Sequence, residues 1–151
     1  MANRTVTVDG LRDLDAALGH LPKATGKAVL RRTLKKAAEP LISDAKAKVP
    51  VLTGALQISI STGTKLTKRQ ARLHRKMFRD DKASVEMFVG AGGLAQATQA
   101  EFGNEHQTAE PYMRPAWDAN QGQVLDIIKN ELGAEIMKAA QRLAKKAAKG
   151  K

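Results

Sequence analysis

The residues best suited to chemistry crowd into one stretch, EFGNEHQTAEPYMRPAWD, from Glu101 to Asp118. Glu101, Glu105, His106 and Glu110 lie close enough in sequence to ligate a metal together. Metal ligands, however, are normally held in place by further hydrogen bonds behind them. A glycine-bearing loop offers little of that, so a polar surface loop is the expectation. Other candidates carry less. His20, His74 and His106 are widely separated and form no His-Glu-x-x-His pattern. Gly90, Gly92 and Gly93 suggest a phosphate loop, but no Gly-Lys-Ser/Thr follows, and a turn is the better reading. There is no serine nucleophile elbow, and with no cysteine there is neither a thiolate nor a disulfide framework. The residue types point away from an enzyme, with no catalytic residue, metal or cofactor expected. Tyr112 and Trp117 could stack on a base, but aromatics at a helix start more often plug a core or a subunit contact.

Charge is the second signal. The chain carries a net +11, unevenly spread. Lys65, Lys68, Arg69, Arg72, Arg75, Lys76, Arg79 and Lys82, set against Asp80 and Asp81, make one segment of +6. Lys138, Arg142, Lys145, Lys146, Lys149 and Lys151 make another of +6, which leaves the remainder at −1. Concentrated basicity of this kind suits a polyanion or a partner surface, or is simply solvated. As nucleic-acid contacts the two segments would engage phosphates without reading bases, with strong salt dependence. Neither interleaves aromatics for single-strand stacking.

The elements that must position these residues follow from periodicity. The 151 residues suit a single domain, 1–151, of α+β class: a small antiparallel sheet packed against two long helices, with a basic loop excursion. No run approaches the ~20 apolar residues of a membrane span, and the N-terminus lacks a signal-peptide core, so a soluble protein made in a reducing cytosol is expected. Thr5–Val8 alternates as a short strand, and Asp9 stands as a helix N-cap before Leu11, Leu14 and Leu18. A long helix is predicted from Thr25 to Val49, with Leu30, Leu34, Ala37, Leu41, Ala45 and Val49 inward, a kink or break at Pro40, and a stop at Pro50. After a turn at Thr53-Gly54, Ile58 and Ile60 read as strand. Residues 65–82 read as a mobile basic excursion with only weak helical signal from Leu66, Leu73 and Met77. Val85, Met87 and Val89 mark the clearest strand. The last helix is predicted from Pro115, with Leu125, Ile128, Leu132, Ile136, Ala139 and Leu143 inward and residues 144–151 a frayed basic tail.

Two motifs, in order, carry a resemblance. AKAKVPVLTGALQISI supplies Pro50, Thr53, Gly54, Leu56, Ser59 and Ile60; the later stretch supplies Glu101, Phe102, Gly103, Pro111, Tyr112, Arg114, Pro115 and Ala116. From about Val6 to Leu143 the succession resembles the small minor tail or neck components of long-tailed bacteriophages, the gene-product-ten-like family of HK-type lambdoid phages. It departs from that pattern at Gln57, at Asn104 and in the length of the basic excursion. The resemblance implies a structural virion protein, assembled in the host cytoplasm, that completes the neck or terminates the tail by forming a ring at the head–tail junction. Its implied partners are further copies of itself, commonly in a sixfold ring, and the neighbouring neck and tail-tube proteins, with possible non-specific contact to packaged DNA and none to membrane. The motif residues are then candidate subunit contacts, and the basic segments face DNA or adjoining rings. Glu101-Phe102-Gly103 is expected to end an extended segment, with Tyr112-Met113-Arg114 held extended between prolines. Arg114 is expected to make a planar bidentate pair with a carboxylate, Glu101 or one across an interface. A small basic non-specific DNA-binding protein is the alternative.

Overall fold

The computed structural model describes residues 10–51, 54–80 and 85–150. The expected strand Thr5–Val8, together with Asp9, Thr53, Lys82 and Lys151, lies outside them. Within them the order is α1 (Leu11–Gly19), α2 (Lys23–Lys48), α3 (Ala55–Ser59), β1 (Ser61–Gly63), α4 (Lys68–Met77), β2 (Phe88–Gly90), α5 (Ala95–Phe102) and α6 (Met113–Ala148). The α+β reading holds. Two long helices dominate, and the sheet is a single antiparallel pair with Ser61 opposite Gly90 and Gly63 opposite Phe88.

α2 and α6 lie antiparallel along one another. Arg32 Nε meets Glu135 at 3.1 Å, Lys36 Nζ meets Glu131 at 2.8 Å, and Asn120 Nδ2 donates to Asp44 at 2.7 Å. Those cross-links, spread along α2, help explain why Pro40 does not split it: the helix is continuous from Lys23 to Lys48. The proline removes one hydrogen bond, but the residues on both sides stay helical. The inward face also differs from the predicted stripe in its first half. Val29 and Thr33 are buried where Leu30 and Leu34 were expected, and they continue through Ala37, Leu41 and Ala45 at intervals of four. Thr33 is accommodated because its hydroxyl donates to the Val29 carbonyl at 3.0 Å.

The core has two parts. One gathers Leu41, Ala45, Val49, Leu56, Ile60, Ala91, Ala100, Tyr112 and Ala116. The other joins Val29 to Leu132, Ile136 and Ala139, with Leu14, Leu18 and Leu21 packed against it. α1 closes this second cluster, and its N-cap position is held by Gly10, not Asp9.

Three local readings change. Residues Ala55–Ser59 are helical rather than extended: Leu56 and Ile60, four apart, are buried, while Ile58 stands 79% exposed. Of the predicted strand ASVEMFVG, only Phe88–Gly90 pairs among the described residues. The basic stretch contains a helix with a full capping box, in which the Thr67 hydroxyl accepts from the Gln70 amide and the Gln70 side chain accepts from the Thr67 amide. Leu73 and Met77 do not anchor that helix, for both are exposed. His74 does. Its ring lies 4.9 Å from Phe78 and edge-on to Phe88 at 5.3 Å, and its Nε2 is 3.4 Å from Glu86.

Candidate functional site

A helix of ordinary length begins with backbone N–H groups that have no partner inside it. At the head of α6 they go to one carboxylate. Glu101 sits in the last turn of α5 and is only 6% exposed. Its Oε2 accepts from the amides of Tyr112 at 2.8 Å and Met113 at 2.9 Å. Its Oε1 accepts from the Arg114 amide at 3.1 Å and from Arg114 Nε at 2.9 Å. The next residue, Pro115, has no N–H to satisfy, and the Ala116 amide then donates to the Tyr112 carbonyl at 3.3 Å. Every N–H from Tyr112 to Ala116 is therefore accounted for. A negative charge at a helix N-terminus is also favoured by the helix dipole.

Burial pushes the Glu101 carboxyl up, but the Met113 and Tyr112 amides, together with the Arg114 side chain and amide, outweigh it, and the group lies below the usual carboxylate range. With both oxygens taken by two donors each, Glu101 has no free lone pair for a substrate or a metal. Glu105, His106 and Glu110 lie apart from it on an exposed loop, where the His106 amide donates to Asn104 Oδ1 at 2.8 Å. Among the described residues no group of three or more acidic or histidine side chains is placed to hold a metal ion.

The structure corrects three details of the motif. Glu101-Phe102-Gly103 ends a helix, not an extended segment. Met113 and Arg114 are the first helical residues rather than extended, and Pro115 is the third. Arg114 pairs with Glu101 as anticipated, but through one carboxylate contact; its second nitrogen, Nη2, donates to the Glu101 backbone carbonyl at 3.1 Å. Sequence reasoning missed the cap itself, because the carboxylate and the amides it receives lie eleven to thirteen residues apart.

Both sequence motifs meet here. Leu56 and Ile60 share one buried cluster with Ala100, Tyr112 and Ala116. Pro50, Gly54 and Leu56 line a cleft of about 220 Å³ with Gln96, Gln99 and Gln107. Ser59 turns its hydroxyl to the Leu56 carbonyl at 2.7 Å, and Gln57 Nε2 donates to the Lys46 carbonyl at 2.9 Å. Pro111 is exposed beside them.

The outer side of this clasp, in which Glu101 grips the head of α6, is open. Phe102 is 64% exposed, with the Arg114 guanidinium 4.9 Å from its ring centre. Trp117, 48% exposed, borders a groove of about 530 Å³ with Leu41, Met87, Val89 and Met113, and Asp118 at the rim. Of the two helix-start aromatics, Tyr112 is core and Trp117 lies at the surface. The basic segments do not converge. α4 lies beside the sheet at this end, whereas Lys138, Arg142, Lys145 and Lys149 are exposed toward the other end of α6, whose 36 residues span about 54 Å. There Arg142 and Lys146 border a groove with Arg32 of α2, a basic contribution from α2 that the two-segment reading omitted.

Among the described residues, Glu101 is the one buried carboxylate, and all of its hydrogen-bonding capacity goes into holding the head of α6. Residues 12–103 match the HK97-gp10-like family, described as a bacteriophage tail component, and the chain belongs to that family. The matched span ends at Gly103, short of the second half of the clasp. No curated protein and no solved structure matches the chain. The family is one of structural tail components, which places this chain with the phage virion and makes an enzyme role unlike it. No helix among the described residues is long and apolar enough to cross a membrane.

Proposed function

We propose that the protein forms a ring at the head–tail junction of a long-tailed phage, completing the neck or terminating the tail so that the two can join. The observation that supports this most is the outer face of the clasp: Arg114 and Trp117 are exposed along an apolar groove, and Phe102 is exposed under the Arg114 guanidinium. Exposed apolar surface of that kind marks a contact. In a cyclic ring the contacts are heterologous, so the groove of one copy meets a different patch of the next, and the closure angle sets the copy number, which we take to be six. On the opposite side of the contact we place the apex around α3, where Val51 is 61% and Ile58 79% exposed. The neighbouring neck and tail-tube proteins stack on the two faces of the ring.

Arg114→Ala separates assembly from folding. Most of its side chain is exposed, at 60%, and the three backbone amides remain on Glu101 without it. The expected folding loss is about 1 kcal/mol, in keeping with a charge pair whose arginine is mostly in water and whose carboxylate keeps its three amides. Loss of an interface arginine at a hot spot costs about 2 kcal/mol or more, which weakens assembly by well over tenfold. Light scattering across a concentration series, alongside thermal unfolding, reads both. An oligomer unchanged by Arg114→Ala and by Trp117→Ala would count against this interface.

A further inference from the structure

We propose that α4 is a docking edge for the phosphate backbone of duplex DNA, read without regard to sequence. The idea goes beyond ring formation and applies to a single copy. Successive helical residues advance by about 100°, so Arg75, Lys68, Arg72, Lys76 and Arg69 fall within one sector about 120° wide. All five are exposed. None pairs with a carboxylate among the described residues; the nearest partner of any is the Ala71 carbonyl, which accepts from Arg75 Nε at 3.3 Å. The rest of the helix explains why this stripe is held out. Ala71 and His74, half-buried, face inward, and His74 packs on Phe88 of β2. The capping box fixes the first turn. The charges are thus presented on an anchored helix of ten residues, about 15 Å long.

The chemistry of the stripe favours a polyelectrolyte over an acidic protein surface. Protein interfaces concentrate apolar side chains at their centre and exclude lysine from it. This sector has no apolar residue, since Leu73 and Met77 fall beyond its edge. Duplex DNA, in contrast, offers one negative charge per ~1.7 Å of axis, a density that five cations over about 15 Å, with no carboxylate partner among the described residues, can follow. Base reading is not provided for. The stripe holds no Asn or Gln, and Gln70 is committed to the cap. Single-strand stacking is not provided for either, because Phe78, the aromatic at the end of the helix, is engaged with His74.

The test uses a fluorescein-labelled duplex of mixed sequence, with anisotropy titrations from about 50 to 200 mM salt. Five phosphate contacts predict that log K falls against log salt with a slope near −4.5, at about −0.9 per contact. Arg69→Gln, Arg72→Gln and Lys76→Gln together should flatten that slope by about 2.7. Lys145→Gln, Lys146→Gln and Lys149→Gln together, at the far end of α6, should leave it unchanged. Circular dichroism establishes that both triple variants keep the wild-type helix content. The proposal is overturned by a wild type that fails to bind the duplex at the lowest salt, or by an α4 variant that keeps the full slope. It is overturned equally if the α6 variant shows the larger loss, or if poly-glutamate of equal charge binds the wild type as tightly as the duplex does, which would make the stripe a seat for acidic protein.

Discussion

Glu101→Gln should lower the unfolding free energy by about 3 kcal/mol, the upper range for a buried hydrogen-bonded charge. The reason is geometric. Each carboxylate oxygen faces two donors, so an amide must turn its NH2 toward one of those pairs whichever way it is flipped. Two N–H groups are left opposed to another donor, and the negative charge at the helix head is gone. In a chain of this size the loss amounts to a fall in Tm of about 6–12 °C. The effect depends on pH in a defined direction. The folded carboxyl lies below its ordinary value, so its contribution is complete above the unfolded value of about 4.3 and is lost as pH falls through the folded one. The gap in Tm between wild type and Glu101→Gln should therefore be widest near neutrality and shrink from about pH 5 downward. A gap that stayed constant to pH 3 would mean that the carboxylate is not what holds α6.

Gly103→Ala is the second large effect. Gly103 has φ +73° and ψ 178°, a region that essentially only glycine occupies. A Cβ there would sit 2.8 Å from the Ala109 nitrogen and 2.9 Å from the Gln107 carbonyl oxygen, both backbone atoms that cannot swing aside. Strain and displacement together should cost about 2–4 kcal/mol. Gly103→Asn makes the reading specific. Asparagine tolerates the left-handed helical region, where ψ is near +47°, but not this one, so it should give no rescue. Thermal unfolding of the three proteins checks it, and a stable Gly103→Asn would refute the backbone argument. The same backbone crossing carries the Glu110 amide to the Ala100 carbonyl at 2.8 Å, one residue before Glu101. The losses in Glu101→Gln and Gly103→Ala should consequently not add, since either one opens the same junction.

What the sequence disclosed was governed by local periodicity, and what it hid was governed by distance. The long helices were readable because α2 and α6 bury residues at repeated helical spacing, and Leu132, Ile136 and Ala139 lie where the stripe placed them. The family resemblance was readable because both motifs are short, ordered runs. Ile58 and Ile60 misled, because alternation over three residues is shared by strands and by a helix with one exposed position; only the burial of Leu56 four residues before Ile60 decides it. Pro40 does not break α2, because its penalty is local, whereas the cross-links that keep α2 continuous come from α6. The Arg114–Glu101 pairing was anticipated, yet its purpose was not. Nothing local in Glu101 says that it will receive the amides of residues eleven to thirteen positions later. The anchoring of α4 by His74 was equally hidden, as histidine in a basic run gives no apolar signal.

The division of the core has a consequence for how the molecule comes apart. The cluster around Tyr112 joins α2, α3, α5 and the head of α6, and is closed by the clasp. The cluster around Val29 joins only the first half of α2, the second half of α6 and the nine residues of α1. Between them the two long helices meet through small residues and exposed ion pairs, Ala37, Ala38 and Lys36–Glu131 among them. Opening one end does not require opening the other. Such a chain behaves as two cooperative units of unequal size, and amide hydrogen exchange should report the difference: slow, near-global protection around the clasp, and faster opening in the outer turns of α6. The free end can then adapt to what it meets while the clasped end keeps its shape.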